Sequence, residues 1–181
     1  NIQTNGANAV FANGGNDTVF ALGGDDVVYG GKGNDNVFAG SGGDIVSGGS
    51  GNDTLRGNSG DDIVSGGSGN DTVLGGSGDD VLLDGLGGDV VSGARGDDVF
   101  IFVQGVLEGD ASATEDVFNG GSVSDTLYPV LVETTFDDLQ MNGPPATLAA
   151  LGITVTSMES ILATDGRGTG ETVLGAFSWL H

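Results

Sequence analysis

Gly48-Gly-Ser-Gly-Asn-Asp53-Thr-Leu-Arg56 is the stretch that decides the fold of this 181-residue chain. Two further segments, Gly30 to Phe38 and Gly66 to Leu74, repeat it closely, and all three read Gly-Gly-x-Gly-x-Asp-x-apolar-x. Counted in this frame, eleven nine-residue units run without a gap from residue 3 to residue 101. Self-similarity at a fixed period indicates a repeat architecture, in which each unit packs against its neighbours.

Two positions of the unit recur most strictly. Position eight is apolar in every unit, which predicts an unbroken column facing one interior. This column consists of Val10, Val19, Val28, Val37, Val46, Leu55, Val64, Val73, Leu82, Val91 and Phe100. Position six is an aspartate in ten units, namely Asp17, Asp26, Asp35, Asp44, Asp53, Asp62, Asp71, Asp80, Asp89 and Asp98.

The alternation of glycine-rich and apolar segments predicts a short strand at positions seven to nine and a turn at positions one to six. Two units then form one 18-residue coil. Successive coils stack at about 4.8 Å, the spacing of hydrogen-bonded strands. We therefore expect an all-β fold, a right-handed parallel β-roll whose two short-stranded sheets lie back to back. The Val-sized column makes only a thin core.

The negative charge of the chain predicts that it binds a cation. Its formal net charge is −22, from 26 acidic and 4 basic side chains, which argues against a nucleic-acid partner. In a coil of two units, alternate aspartates line opposite edges of the roll, where vertically adjacent carboxylates repel each other. A hard cation removes this repulsion, and calcium accepts six to eight oxygen ligands in flexible geometry. Magnesium fits worse because it demands a tight octahedron and keeps its waters.

Other chemistries find little support in the sequence. The chain has no cysteine and a single histidine, His181, so zinc sites and nucleophilic triads are improbable. Adjacent acids such as Asp61 and Asp62 follow from repeat positions five and six rather than from a catalytic dyad. We predict no catalytic residue, and no apolar run is long enough to cross a membrane.

The nonapeptide resembles the calcium-binding repeat of the RTX (repeats-in-toxin), or haemolysin-type, family. The resemblance implies that each ion lies between two stacked turns. One turn supplies the carbonyls of positions two and four with its aspartate, and the turn one coil later supplies carbonyls one and three with its own. It implies about eight calcium ions, four on each edge, which would reduce the net charge to about −6.

Carried onto this sequence, the resemblance gives the following carbonyl ligands. On the edge of Asp17, Asp35, Asp53, Asp71 and Asp89 they are Asn13, Gly15, Gly30, Gly31, Lys32, Gly33, Gly48, Gly49, Ser50, Gly51, Gly66, Gly67, Ser68, Gly69, Asp84 and Leu86. On the edge of Asp26, Asp44, Asp62, Asp80 and Asp98 they are Leu22, Gly24, Ala39, Gly40, Ser41, Gly42, Gly57, Asn58, Ser59, Gly60, Gly75, Gly76, Ser77, Gly78, Gly93 and Arg95.

The repeats depart from the consensus near both ends. Asn8 stands at position six of the first unit, which removes one carboxylate. Asp84 and Leu86 replace turn residues, and Ala94 replaces the second glycine of its unit. The sites joining Asp71 to Asp89 and Asp80 to Asp98 are therefore the irregular members of the predicted set.

We divide the chain into a β-roll at residues 1–101, degenerate repeats that continue or cap it at 102–127, and a mixed α/β cap with a secretion-signal region at 128–181. Asp116-Val-Phe118 lies two units beyond Asp98, so the roll is expected to extend by another coil. In the cap, short helices are predicted at 135–139 and 144–151, and strands at 153–156 and 172–174.

Position seven differs between the two predicted sheets. It is mainly threonine or asparagine on one sheet, whereas the other carries Val27, Ile45, Ile63, Val81 and Val99. The simpler interpretation is β-propensity on a solvated sheet. The alternative is that this Val/Ile ladder docks against the C-terminal segment or against a second copy in a homodimer.

The resemblance implies a function. We expect a calcium-binding module that folds on binding Ca²⁺ after export by type I secretion machinery, so that the protein is secreted or lies at the bacterial cell surface. The first residue is Asn1, inside a repeat, and we interpret the chain as the C-terminal part of a longer polypeptide. One alternative is an adhesin or surface-layer segment that self-associates through the Val/Ile face. Another is an accessory domain of a secreted protease or lipase.

Overall fold

The computed structural model describes residues 1–103, 116–122, 126–130, 153–156, 160–164 and 171–176. Their strands form two sheets that together make a β-roll. The eight-stranded sheet contains β1 (Ile2–Gln3), β3 (Thr18–Phe20), β5 (Asn36–Ser41), β7 (Thr54–Ser59), β9 (Thr72–Ser77), β11 (Val90–Arg95), β13 (Asp116–Ser122) and β15 (Ile153–Thr156), in that order. The nine-stranded sheet contains β2 (Ala9–Phe11), β4 (Val27–Lys32), β6 (Ile45–Ser50), β8 (Ile63–Ser68), β10 (Val81–Leu86), β12 (Val99–Val103), β14 (Thr126–Val130), β16 (Ser160–Thr164) and β17 (Glu171–Ala176).

Successive chain segments alternate between the two sheets, as the two-unit coil predicts. Within the repeats, each strand pairs in parallel with the strand two units later, for example Val28 with Val46 and Leu55 with Val73. The all-β parallel solenoid is therefore confirmed. Every repeat position consequently stacks on its own equivalent, which converts the sequence period into straight rows of equivalent side chains.

The predicted strand length was wrong. From β4 to β11 each strand has six residues rather than three, because it continues through positions one to three of the following unit. Positions two and three pair with the next coil, as in Gly31 with Gly49 and Lys32 with Ser50. The glycine at position two has a positive φ, as at Gly31 (111°), and so bends the strand without ending its ladder.

Position eight forms the core, as predicted. All eleven members of the column are buried, and Phe118 extends it. Towards the C-terminal end the column changes from valine to phenylalanine. Phe118 packs edge-to-face on Phe100 and on Phe102, with ring centroids 6.1 Å and 5.9 Å apart. These larger rings widen the thin core at that end of the repeats.

The roll continues beyond the regular repeats, as expected. The prediction that this coil is two units long was wrong. Val117 pairs with Val90, three units earlier, and Thr126 pairs with Val99 at the same separation. This coil therefore contains one extra unit, and the backbone at Asp116 follows that of Asp89 rather than that of Asp98. In the sequence, the unit at residues 102–110 has glycine at position four but not at positions one and two, and the unit at residues 111–119 has no glycine.

The C-terminal strands extend the roll further. The predicted strand 153–156 is β15, which pairs in parallel with β13, and β16 pairs in parallel with β14. The predicted strand 172–174 lies within β17, which is antiparallel to β16 and forms the last strand of its sheet. The helices predicted at 135–139 and 144–151 lie outside the described residues.

Candidate metal centres

Two rows of aspartates lie in the turns at the two edges of the roll. Nine of the ten position-six aspartates are 0–2% exposed, and Asp17 at the N-terminal end is half-buried. Burying an ionised carboxylate is costly unless it is paired, hydrogen-bonded or bound to a metal. The sequence alone predicts the rows, whereas their nearly complete burial follows from the stacking of the turns.

In the nine buried carboxylates, one oxygen forms a hydrogen bond that joins two successive coils. Oδ1 accepts a hydrogen bond from the backbone N–H of the aspartate one coil earlier. Asp35 N donates to Asp53 Oδ1 at 2.7 Å, and Asp62 N donates to Asp80 Oδ1 at 2.9 Å. The same bond begins at Asn8, whose N–H donates to Asp26 Oδ1 at 2.8 Å. Asn8 therefore joins the ladder through its backbone although it brings no carboxylate.

In seven of these carboxylates the second oxygen, Oδ2, lacks such a partner. Within the part of the chain that the structure describes, no hydrogen bond reaches the buried Oδ2 atoms of Asp26, Asp35, Asp44, Asp53, Asp62, Asp71 and Asp80. A buried acceptor left without a partner costs about 1–3 kcal/mol, and more when it is charged. Seven such atoms in two regular rows indicate sites for a cation that is coordinated by oxygen atoms.

Backbone carbonyls converge on the same spaces. A methyl group added at Gly30 would lie 2.5 Å from Asp35 Oδ2 and 2.6 Å from the carbonyl oxygen of Gly48. Both oxygens therefore approach the same point, close enough together for one calcium ion, which binds oxygen at about 2.3–2.6 Å, to contact both. The same arrangement recurs beside Gly48, where Asp53 Oδ2 and the Gly66 carbonyl converge. The residues therefore fit calcium at the places where Asp35 with Gly48, and Asp53 with Gly66, were predicted as ligands.

The position-three carbonyls already accept one hydrogen bond each. The N–H of Gly33 donates to Ser50 O at 2.8 Å, and the N–H of Gly42 donates to Ser59 O at 2.9 Å. Lys32 and Arg95 follow the same pattern through their carbonyls, while their side chains are exposed. A carbonyl oxygen has two lone pairs, so one remains for a metal ion.

Four residues at position two adopt a backbone conformation that favours glycine. Asn13, Leu22, Asn58 and Ala94 have φ values of 73°, 73°, 79° and 82°. Such a conformation is uncommon for residues with a Cβ, least so for asparagine. Because stacking forces a positive φ on every coil, these four turns are strained relative to the glycine turns.

The described residues contain no group of three or more histidine, cysteine, aspartate or glutamate side chains that could hold a metal ion. In the predicted sites, two carboxylates and several backbone carbonyls supply the ligands, so the side chains are the minority. Hard oxygen donors without nitrogen or sulfur suit calcium rather than zinc.

Burial raises the pKa of six of the position-six aspartates. Burial raises the pKa of Asp53 and Asp62 to about 6 and the pKa of Asp80 to about 7. The backbone hydrogen bond to each carboxylate lowers its pKa, and the neighbouring carboxylates raise it further. The pKa values of Asp44 and Asp98 are raised by the same burial. In the folded chain these groups therefore favour a neutralising partner, either a proton or a cation.

Asp84 shows what sequence reasoning missed. Only its carbonyl was predicted as a ligand, yet its side chain is also buried, at 1% exposure, and its Oδ1 accepts a hydrogen bond from Gly85 N at 2.6 Å. Added side chains at position one point towards the aspartate of the same turn, as at Gly30. An acid at a position otherwise held mostly by glycine or alanine was the available signal.

Position five distinguishes the two edges. On the first edge it carries Asn16, Asn34, Asn52 and Asn70, and we call this the Asn edge. On the second it carries Asp25, Asp61, Asp79 and Asp97, and we call this the Asp edge. The side-chain oxygen has the same hydrogen-bonding role on both edges. Asn52 N donates to Asn34 Oδ1, and Asp79 N donates to Asp61 Oδ1, both at 2.9 Å.

Comparison with known protein families identifies the repeats. A model described as the RTX calcium-binding nonapeptide repeat, in four copies, matches residues 2–37, 38–73 and 74–102, which is more than half of the chain. No curated protein and no solved structure matches the chain. In the described residues there is no helix long and apolar enough to span a membrane. Calcium is the ion that these repeats bind. The repeats, the β-roll and the family match together show that the chain belongs to the family of proteins built on RTX calcium-binding nonapeptide repeats.

Proposed function

We propose that this chain is a calcium-triggered folding module of an exported protein. The observation that carries the proposal is the double row of buried carboxylates, in which the Oδ2 atoms from Asp26 to Asp80 accept no hydrogen bond from any described residue. Without ions these rows oppose folding through repulsion and desolvation. With calcium bound between successive coils, the same rows hold the roll together.

The mechanism is thermodynamic linkage. Calcium binds where two turns are stacked, and the unfolded chain has no such arrangement, so each ion stabilises the folded state alone. The Val-sized core is too thin to compensate for a net charge of −22. Extracellular modules typically bind calcium at about 10⁻⁴–10⁻³ M, which allows the chain to stay unfolded inside the cell and to fold outside.

The proposal includes the ligand sets and the count of ions. Each inner aspartate would serve two ions, one on each side along its edge, through its two oxygens. The proposed sites pair Asp17 with Asp35 and so on to Asp89 on the Asn edge, and Asp26 with Asp44 and so on to Asp98 on the Asp edge. About eight ions result, each with carbonyls of positions one to four completing its shell.

The cellular setting belongs to the same proposal. A module that stays unfolded at low calcium suits export through a type I secretion apparatus, which takes an unfolded chain, and extracellular or surface localisation follows. In this arrangement the roll would be the C-terminal part of a larger exported polypeptide, and the calcium site would have a folding role rather than a catalytic one. Family membership supports this setting.

Far-ultraviolet circular dichroism tests the trigger. The isolated chain is recorded in chelator and then titrated with calcium and, separately, with magnesium. We expect a cooperative transition from coil to sheet near millimolar calcium and none at equal magnesium. A fully folded spectrum in chelator would contradict the trigger. Asp44→Asn with Asp62→Asn should move the transition to higher calcium, whereas the outward-facing control Ser47→Thr should not.

A second candidate function is self-association through the nine-stranded sheet. From β2 to β12, positions seven and nine of this face carry no charged side chain, and Ile45 and Ile63 are 45% and 44% exposed. Contiguous exposed apolar surface is uncommon on monomers. Sedimentation in calcium would show a dimer that Ile45→Thr with Ile63→Thr dissociates. A monomer at all concentrations would exclude this candidate.

A further inference from the structure

An aromatic ladder on the outer face of the eight-stranded sheet ends in an arginine. Phe20 and Phe38 stack at position nine of successive coils, with centroids 4.9 Å apart and planes 6° apart. The next residue in this row is Arg56, whose guanidinium carbon lies 4.8 Å from the centre of the Phe38 ring. Its Nη1 donates a 3.0 Å hydrogen bond to Asn36 Oδ1, which fixes the guanidinium over the ring.

The nine-stranded sheet carries the equivalent ladder without its arginine. Phe11 and Tyr29 stack at position nine with centroids 5.1 Å apart and planes 8° apart. The next residue in the row is Ser47, which pairs with Tyr29 in the strand register. A serine is too short to cover the ring, and Tyr29 is 43% exposed. The face of Tyr29 that corresponds to the covered face of Phe38 is therefore open.

A groove runs beside this open ring. Its volume is about 500 Å³, and its walls include Phe11, Asn13, Tyr29, Lys32 and Ser50. Gly31 and Gly49, the position-two glycines of two successive coils, also line it. The groove thus offers two aromatic rings together with the polar residues Asn13, Lys32 and Ser50.

We propose that the open face of Tyr29 binds the arginine side chain of a basic partner protein. The aromatic face attracts a cation, and a planar guanidinium stacks on it better than an ammonium. The same chain places a guanidinium on the matching ring, Phe38, which shows that the row geometry accepts one. The net charge is negative both without calcium, at −22, and with eight ions bound, at about −6, and so favours a basic partner over an acidic one. Lys32 opposes a cation from the far wall of the groove, but its flexible stem can turn the ammonium to solvent.

The test uses the calcium-loaded full chain and N-acetyl-arginine amide as the probe, with the resonances of the residue 29 side chain, the Phe11 ring and the Lys32 backbone amide followed by NMR. Tyr29→Ser should weaken binding at this site by roughly 2- to 30-fold, and Tyr29→Phe should retain it. Ser47→Arg should block the site by placing its own guanidinium over the ring, although Val27 stands where Asn36 accepts the hydrogen bond of Arg56. Arg56→Ser should create a second site, seen as new shifts on the Phe38 ring. Lys32→Gln should tighten binding.

Each remaining outcome contradicts the proposal. Equal binding by the wild type and Tyr29→Ser would show that the ring is not the site. Equal shifts with N-acetyl-lysine amide would indicate attraction to the acidic chain in general. Binding of methyl glucoside in place of the arginine probe would make the groove a saccharide site, and weaker arginine binding by Lys32→Gln would indicate a ligand with a negative group. Calcium titrations followed by circular dichroism establish that every variant folds.

Discussion

The two edges of the roll have the same backbone and the same buried aspartates, yet different charges at position five. On the Asn edge, the pKa of Asp53 is raised by burial and by the adjacent members of its own row. On the Asp edge, Asp61 contributes to the raised pKa of both Asp62 and Asp80. Because asparagine and aspartate accept the same hydrogen bond at position five, the extra carboxylates are not needed for the turn.

The comparison separates two tasks of the turn. The position-six aspartate holds the coils together and provides the proposed metal ligand. The position-five residue needs only an oxygen atom that accepts the hydrogen bond, which asparagine and aspartate both provide. Its charge can therefore differ between the edges and change how strongly each edge attracts cations and protons. We therefore expect the Asp edge to bind calcium more tightly and to depend more on pH and salt.

The largest expected effect comes from removing an inner aspartate. Asp62→Ala on the Asp edge, or Asp53→Ala on the Asn edge, removes a ligand shared by two proposed sites. Each should raise the calcium concentration at the folding midpoint by at least about tenfold, equivalent to about 1.4 kcal/mol. Asp17→Ala is the matched control, because it ends its row, is half-buried and serves one proposed site. Equal midpoints for Asp17→Ala and Asp53→Ala would contradict the shared-ligand arrangement.

Glycine at position four should matter equally on both edges. Gly51 and Gly60 have φ values of 122° and 125°, and a Cβ on either would collide with the carbonyl of the coil before, at Gly33 or Gly42. Gly51→Ala and Gly60→Ala should each destabilise the calcium-loaded roll by about 1–3 kcal/mol in urea unfolding. Gly43→Ala is the milder control, since its added methyl would meet only Asp61 O at 3.2 Å. A large difference between the two edges would mean that the turns are not equivalent.

pH should affect the two edges differently in the absence of calcium. A folded-state pKa of about 6 or 7 exceeds the unfolded value of about 3.9, so the folded chain binds more protons than the unfolded chain between these values. Stability in chelator should therefore fall as pH rises from about 4 to 7. Circular dichroism should show more sheet at pH 5 than at pH 8, and Asp61→Asn with Asp79→Asn should reduce this difference. More sheet at pH 8 would reverse the sign and contradict the account.

The smallest expected effect is that of exchanging the charges at position five. Asp61→Asn with Asp79→Asn should weaken calcium binding a few-fold, and Asn52→Asp with Asn70→Asp should strengthen it a few-fold, because exposed charges interact by only about 0.2–1 kcal/mol each. Calorimetric titration at low and high salt measures both pairs, and high salt should diminish the difference. No change in either pair would show that position five has no electrostatic role.

Much of this structure follows from the sequence. The period of nine predicts the two-sheet roll, the buried column from Val10 to Phe100, and the assignment of Asp53 and Asp62 to opposite edges. These features are predictable because each depends on a residue type repeated at one position. The outward Val/Ile ladder is predictable for the same reason.

Other features depend on stacking, which the pattern of one unit does not contain. The strands extend to positions two and three because a positive-φ glycine still pairs with its copy one coil later. The three-unit separation between Val90 and Val117 is not contained in the two-unit period of the regular repeats. The burial of the Asp84 side chain depends on the direction of Cβ at position one. The carbonyl ligands remain predictions from the family resemblance.

A crystal structure grown in calcium, with anomalous data, tests the central claim most directly. We predict density for calcium between successive aspartates along both edges, with about four ions on each, bound by the two carboxylates and the surrounding carbonyls. A folded roll with no ions beside Asp35, Asp53, Asp44 and Asp62 would contradict the claim. The buried carboxylates would then have to be neutralised by protons instead.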